Sequence, residues 1–295
     1  MAEPVFHVAY GLDTSNGPLT DSLFQSSPAD LGETATVTSP FYARQVQVQA
    51  QAERGRIRLM NSVRTTGPYA IARPEALASF QADVFLCDSS SPVNANVRNR
   101  TFDADSCMAP GNLDALSIVP YPNISLSGTG SASQGALAAF SVTATVNGTT
   151  VGTGGSTFNT SIGDAAGTLG GIVAPLVTGV GSPFTNNVMS VKVNAATITG
   201  CNNIGRVIPC QAMVDLSHTI EFVDTGDVFE GLLPNMTVWS PDLNIFDNRW
   251  YSPEFYANPP QAPEPPAVAL FLLGLTGLAV MGRRRQRATV RFRRR

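Results

Sequence analysis

The feature that most constrains the fold of this chain is a repeated alternation of apolar and polar residues. Residues 45–52 alternate glutamine with valine or alanine, and the alternation resumes at Ile57 after the turn Glu53-Arg54-Gly55. A period of two residues places apolar side chains on one face of a β-strand and polar side chains on the other. Two such runs joined by a glycine-containing turn predict a β-hairpin with one solvated face.

The same alternation predicts further strands along the chain. Asn147-Gly148 separates two alternating runs, and this dipeptide is typical of a tight hairpin. No window has the pattern of a long amphipathic helix, and we expect one short helix within residues 165–180. Many short strands with Gly, Asn and Pro turns predict a mostly β body of the β-sandwich or jelly-roll type. The predicted strands lie in 80–86, 138–146, 191–197, 212–222 and 236–239.

Composition divides the chain into four parts. Residues 1–35 are rich in Ser, Thr, Asp, Gly and Pro, and we expect an irregular N-terminal lead-in there. Residues 36–250 form the predicted β-sandwich body, with two sheets or subdomains. Residues 251–262 are a proline-rich linker, for which an extended polyproline-like spacer is expected. Residues 263–295 form the C-terminal tail.

The tail combines an apolar run with a cluster of positive charges. Residues 267–282 hold 16 positions without an ionisable side chain, and Arg283, Arg284 and Arg285 follow directly. A helix of this length extends about 24 Å, slightly less than a hydrocarbon core of about 30 Å. Arginine clusters resist translocation, so we expect a single transmembrane helix with the C-terminus cytoplasmic and the body outside.

Pro263-Glu264-Pro265 precedes this apolar run, and the three parts in this order resemble the PEP-CTERM sorting signal of Gram-negative bacteria. The match covers residues 263–285, and further arginines from Arg287 to Arg295 make the tail longer and more basic than usual. The resemblance implies that an exosortase, a membrane protease or transpeptidase, recognises the tail and processes the protein after export. It also implies an association with exopolysaccharide production at the cell surface or in a biofilm.

Two observations keep other interpretations of the tail open. An ordinary permanent membrane anchor would share the apolar run and the positive flank, although the short run disfavours it. Residues 1–30 contain no basic n-region and no apolar h-region, so no secretory signal is readable there. We expect an export signal upstream of Met1; if Met1 is the true start, the tail inserts after synthesis and the body stays in the cytoplasm.

The charge balance of the chain argues against nucleic-acid binding. Eight of the 19 basic residues are arginines of the tail, which leaves 11 basic residues against 22 acidic ones in the remainder. Lys192 is the only lysine of the chain. A protein that binds nucleic acid needs a basic surface to displace counterions, and this body is acidic. We therefore expect no nucleic-acid partner.

The four cysteines allow three disulfide pairings. We favour Cys87–Cys107 and Cys201–Cys210, because each of these pairs encloses a short, turn-rich segment. An exported chain meets an oxidising compartment in which such bridges persist. A zinc site is the alternative, but the cysteines show no Cys-x-x-Cys spacing and no histidine lies beside them.

The residues that could carry chemistry are few, and we predict a non-enzymatic body with no catalytic residues and no cofactor. His218, with Asp215, Asp224 or Asp227, would be needed for a Ser-His-Asp arrangement, but no Gly-x-Ser-x-Gly motif accompanies it. Asp224, Asp227 and Glu230 are the candidates for a glycosidase carboxylate pair. A weak calcium-loop pattern is the one metal alternative; it begins at Asp103-Ala104-Asp105, with Asp88 and Asp114 nearby.

Aromatic residues gather near the end of the body. Trp239, Trp250, Tyr251 and Tyr256 could stack on sugar rings, or they could pack the last strand against the core. The sequence thus predicts an exported surface or matrix protein, sorted by an exosortase at the inner membrane, with exopolysaccharide as a further partner. A carbohydrate-binding module, a secreted hydrolase and a permanently anchored protein are the alternatives.

Overall fold

Antiparallel β-strands dominate this structure, a computed structural model that describes residues 5–13, 22–27, 31–39, 44–66, 71–133, 135–159, 165–176, 187–202 and 209–257. The chain divides into two units, Met1–Pro253 and Glu254–Arg295. The second unit contributes only the short segment up to Ala257 to the described residues. The fold described below is that of the first unit, and it confirms the prediction of a mostly β body.

The strands are numbered in chain order. They are β1 (Val5–Asp13), β2 (Ser22–Ser27), β3 (Leu31–Ser39), β4 (Arg44–Glu53), β5 (Arg56–Thr65), β6 (Ile71–Asp88), β7 (Ala95–Asn96), β8 (Thr101–Phe102), β9 (Tyr121–Pro122), β10 (Ile124–Ala132), β11 (Ala136–Val146), β12 (Thr149–Asn159), β13 (Ala165–Ile172), β14 (Ala174–Pro175), β15 (Val188–Asn202), β16 (Cys210–Phe222), β17 (Phe229–Glu230), β18 (Met236–Trp239), β19 (Ile245–Phe246) and β20 (Arg249–Trp250). The helices in the described ranges are three 3₁₀ turns and the short α1, at Ala104–Ser106, Leu113–Ala115, Pro241–Leu243 and Pro253–Ala257.

Two antiparallel sheets contain most of these strands. The large sheet has the order β14-β12-β11-β15-β6-β1-β2, and β18 pairs with the C-terminal end of β6. The small sheet has the order β13-β10-β16-β5-β4-β3. Three two-stranded pairs, β7 with β8, β9 with β17 and β19 with β20, stand apart from both sheets.

The inner faces of the two sheets share one hydrophobic core. Along β11, for example, even-numbered residues from Ala136 to Val146 are buried, while the odd-numbered ones between them are partly or fully exposed. The alternation seen in the sequence therefore separates a core face from a solvent face. Phenylalanines from both sheets meet inside, with Phe80 of β6 and Phe222 of β16 at 5.6 Å between ring centroids. This common core makes the body a β-sandwich.

Four connections cross from one sheet to the other at the same end of the sandwich, which we call the arched end. They join β5 to β6, β10 to β11, β12 to β13 and β15 to β16. The register places them together, since Thr65 pairs with Cys210 in the small sheet and Ala136 pairs with Cys201 in the large sheet. Each short crossing thus carries the chain from one layer directly into the other.

The opposite end is covered by two long segments, residues 89–123 and 223–252, which we call the cap. The hairpin turn between β4 and β5 lies against it, because the Trp250 indole N–H donates to the Arg54 carbonyl at 3.2 Å. Gly55 has a φ of +76°, and a Cβ at this position would overlap the rings of Trp250 and Phe222. A residue with a side chain therefore does not fit at this turn.

The structure confirms most of the strand predictions and corrects two others. The Asn147-Gly148 hairpin is present, with φ values of 49° and 79° that fit a tight two-residue turn. Residues 1–35 are not an irregular lead-in, because β1, β2 and the start of β3 lie within them. The short helix expected within 165–180 is also wrong, since Ala165–Ile172 pairs with β10 as strand β13.

Candidate functional site

Both predicted disulfides are present, and all four cysteines are paired. Cys201 and Cys210 lie at the arched end, one in each sheet, so their disulfide joins the two layers of the sandwich. Cys87 and Cys107 close a segment of the cap, and they pack with Phe85, Phe102 and Trp239 on the outer side of β6. The prediction of this pairing from the turn-rich segments is therefore confirmed.

Trp250 is the centre of the cap and not a surface residue. Only 5% of it is exposed, and its ring packs edge-on against Phe222 at 6.4 Å. The Arg56 guanidinium lies 5.5 Å from the centroid of the Trp250 ring and donates to Glu221 Oε2 at 2.6 Å. Because Arg56 is itself buried, the indole face and the carboxylate together compensate its charge.

The other aromatic candidates for glycan stacking do not complete an exposed platform with Trp250. Trp239 is half-buried, and one face of its indole is covered by the Phe102 ring, with an interplanar angle of 16°. Tyr251 is half-buried and meets Phe246 edge to face at 6.0 Å. Tyr256 belongs to the second unit, where its ring contacts Phe255. The described contacts thus favour a packing role for these rings over sugar stacking.

The aspartates of the first cysteine loop serve local turns. Asp88 Oδ1 accepts hydrogen bonds from the Ser90 hydroxyl and backbone N–H, and these bonds lower the pKa of Asp88. Asp103 Oδ1 accepts from the Asp105 N–H at 3.1 Å and so caps the 3₁₀ turn Ala104–Ser106. Among the described residues, no group of three or more His, Cys, Asp or Glu side chains is placed to hold a metal ion. The calcium-loop pattern therefore has no matching ligand cluster.

Of the candidate acid–base residues, the structure describes hydrogen bonds of Glu230 but not the side chain of His218. The side chain of His218 lies outside the described residues, and the pKa of His7 is lowered by burial and by Lys192. Glu230 accepts from Asn123 Nδ2 at 3.0 Å and from the Tyr121 hydroxyl at 2.8 Å. These bonds lower the pKa of Glu230, whereas a glycosidase acid needs a raised pKa.

A groove crosses the outer face of the large sheet near the arched end, and sequence reasoning did not find it. Its volume is about 610 Å³. It runs across strands, because Leu77 of β6 pairs with Ala9 on one side and Ala196 on the other. A depression of about 280 Å³ adjoins it at Ile198. The groove is lined mainly by small or neutral residues, including Ala9, Leu77, Ala139, Ala196 and Ile198, with Glu75, Ser141 and Thr157 at its border.

Only the strand register brings these groove residues together. In the sequence, Ala9, Ala139 and Ala196 are small residues at outward positions of three different strands. The sheet order β11-β15-β6-β1 places them side by side. A run of small outward residues is the available signal, but it becomes readable only after the strands are aligned.

The sorting motif and the membrane signal lie beyond the residues that the structure describes. These are Pro263, Glu264 and Pro265, the apolar run 267–282, and Arg283, Arg284 and Arg285. Within the described ranges, which end at Ala257, no helix has the length and apolar character needed to cross a bilayer.

Comparison with known proteins adds no relative to these observations. No protein-family model, no curated protein and no solved structure matches this chain.

Proposed function

We propose that this chain is an exported, non-enzymatic component of a bacterial cell surface or extracellular matrix, sorted through its tail by an exosortase. The precursor is held in the inner membrane by the apolar run 267–282, with its arginine-rich end in the cytoplasm. Processing near Pro263-Glu264-Pro265 then transfers the jelly-roll-like sandwich to the cell surface or the medium. The proposed partners are the exosortase and exopolysaccharide.

The observation that carries this proposal is the order of the three tail parts: Pro263-Glu264-Pro265, an uncharged apolar run and an arginine cluster. An apolar run followed by arginines fixes a topology with the basic end inside. The two disulfides of the body fit an oxidising compartment outside the cytoplasm. The acidic body and the basic tail thus belong on opposite sides of the membrane.

The proposal is tested by expressing the full chain, with its native upstream region, in a Gram-negative host that has an exosortase and in the same host without it. We expect a shortened protein at the surface or in the medium only when the enzyme is present. A variant with Pro263, Glu264 and Pro265 replaced by alanine should accumulate uncut in the inner membrane.

A matched control carries alanine at Pro253, Pro259 and Pro260, which lie outside the proposed motif. This control should be processed like the unchanged chain. Equal accumulation of both triple variants, or processing without the enzyme, would contradict exosortase sorting and favour a permanent anchor.

The groove on the large sheet favours a second candidate function, the binding of a polysaccharide chain. Its floor is neutral, its border offers the exposed hydroxyl side chains of Ser141 and Thr157, and its volume of about 610 Å³ lies in the range of ligand sites. Ala196→Trp fills the groove and should abolish retention of the protein in gels that contain the host exopolysaccharide. Thr143→Trp, on the same face outside the groove, should not; equal retention of both variants would remove this function.

A further inference from the structure

Among the described strands, β3 is the last strand of the small sheet. It pairs with β4 along its whole length, and no described strand pairs with its other side. Nine extended residues offer a row of backbone groups about 30 Å long. Such an edge is a template for pairing with a further strand, unless the protein protects it.

The sequence of β3 carries little of the usual protection. Residues 31–39 contain no proline, lysine or arginine, and their one charged residue is Glu33, which pairs with Ala50 of β4. Other edges differ: β14 has only two residues, and β13 contains three glycines in eight residues. Short strands and glycine-rich strands are poor templates. The remaining edge, β2, has six residues against nine in β3. Among these described edges, β3 offers the longest row of backbone groups.

The register with β4 tells which face of the sheet each β3 residue shares. Ala35 and Val37 pair with Val48 and Val46, which are buried in the core. Directly paired residues lie on the same face, so Ala35 and Val37 share the core face. Thr34, Thr36 and Thr38 share the other face with the glutamines of β4.

The segment Thr34-Ala35-Thr36-Val37-Thr38 is nearly symmetric about Thr36. If two copies pair antiparallel about a two-fold axis at Thr36, threonine lies opposite threonine and Ala35 lies opposite Val37 of the other copy. Both copies then keep their core faces on the same side. A slip of one residue would place threonine opposite alanine or valine and mix the two faces.

We propose that β3 pairs with β3 of a second copy of this chain, which joins two six-stranded sheets into one continuous sheet. The contact is isologous, because each copy contributes the same segment. Threonine pairs and apolar pairs across the two strands stabilise it in addition to the backbone hydrogen bonds. This self-association does not depend on the processing of the tail.

The first test compares two lysine substitutions in the full chain, purified in detergent. Thr36→Lys places like charges directly opposite each other at the proposed axis, which destabilises the pair. Gln47→Lys is the matched control, since Gln47 pairs with Thr36 on the same face but lies on an inner strand. Analytical ultracentrifugation should show dimers for the unchanged chain and for Gln47→Lys, and monomers for Thr36→Lys with an unchanged circular dichroism spectrum.

The tail is common to all three proteins, so association through the tail cannot produce a difference between them. A monomeric unchanged chain, or equal association of the two lysine variants, would overturn the proposal.

The second test concerns the register. Thr36→Cys alone should form a cross-linked dimer on oxidation, because the two side chains are direct neighbours across the axis. Thr34→Cys and Thr38→Cys should cross-link when mixed, but neither should cross-link alone. Non-reducing electrophoresis reads out all four samples. Cross-linking of Thr34→Cys with itself, or failure of Thr36→Cys, would contradict pairing about Thr36.

Discussion

The two ends of the sandwich are held together by different means. At the arched end, short crossings and the buried Cys201–Cys210 disulfide connect the two sheets directly. At the cap end, β2 is followed by β3 and β13 by β14 across the two sheets, and the long segments 89–123 and 223–252 also fold over the core. Trp250 of the second segment packs on Arg56 and donates a hydrogen bond to the Arg54 carbonyl. The arched end is held by a disulfide and short connections, whereas the cap end adds packing between residues far apart in the sequence.

The arched end and the cap also differ in backbone conformation. Left-handed residues cluster in the cap, at Asn244, Asp247 and Asn248. The buried Asn248 side chain takes the place of a strand partner, since its amide donates to the Phe229 carbonyl at 3.1 Å and its Oδ1 accepts from the Phe229 N–H at 2.9 Å. The irregular cap segment thus satisfies its buried backbone polar groups with side chains. The connections at the arched end instead join strands whose backbone N–H and C=O groups hydrogen-bond to one another.

The largest expected effect is the loss of the cap centre. Trp250→Ala removes a buried aromatic ring together with its packing on Phe222 and Arg56, and it should lower the free energy of unfolding by about 3–5 kcal/mol. Trp239→Ala is the matched control, because this tryptophan is half-buried and should cost less. Urea denaturation measures both variants. An equal loss for the two would contradict the central role of Trp250.

Removal of each disulfide should have the next largest effect, and this effect should differ between the arched end and the cap. The variant with alanine at Cys201 and Cys210 should lose about 3 kcal/mol of global stability, the value expected for a loop of this length. The variant with alanine at Cys87 and Cys107 opens a longer loop and should lose a similar amount, and it should in addition become sensitive to protease within the cap segment 88–107. Limited proteolysis followed by mass spectrometry compares them. First cleavage outside 88–107 in the second variant would contradict the assignment of this disulfide to the cap alone.

A smaller loss in the free energy of unfolding is expected when Asn61 is replaced. This residue links the two sheets inside the core. Its Nδ2 donates to the carbonyls of Pro74 and Thr197, and its Oδ1 accepts from Thr199 Oγ1. Asn61→Ala leaves three buried polar groups without this partner and should cost about 2–3 kcal/mol. Thr199→Val removes only one of these bonds and should cost about 1 kcal/mol in thermal denaturation. The reverse order would show that the network does not centre on Asn61.

The smallest effect concerns Asp242 of the cap. Burial raises the pKa of Asp242 above its ordinary value of 3.8, although Arg54 opposes the shift. The folded protein therefore holds this proton more tightly than the unfolded chain, and stability falls as pH rises from 3.8 through the raised pKa.

Asp242→Asn removes this dependence. Its stability relative to the unchanged protein should rise by less than about 1 kcal/mol over the same pH interval, because Asp242 is only half-buried. Denaturation at a series of pH values measures the difference. A relative stability that falls with rising pH would contradict the assigned sign.

The sequence predicted the arched end better than the cap. Strict alternation identified β4, β5, β11 and β16, because one face of each of these strands is buried along its length. The disulfide pairing followed from short spacings. β1 and β13 were missed, since β1 is held by pairing with distant β6 and β13 is rich in glycine.

The cap and the groove were not predictable in the same way. The cap has no period, and the burial of Trp250 depends on Arg54 and Arg56, about 195 residues earlier. The groove requires the order of four strands from separate parts of the chain. Local patterns specify strands, whereas contacts between distant segments specify these two surfaces.

The central claim is that an oxidised sandwich is exported and released from its tail. The intact mass of the protein recovered from the culture medium, measured with and without reduction, tests it most directly. We predict a C-terminus near Pro263-Glu264-Pro265 and a mass increase on reduction that corresponds to two disulfides. A full-length chain with four reduced cysteines, found in the cytosol and not in the medium, would contradict the account.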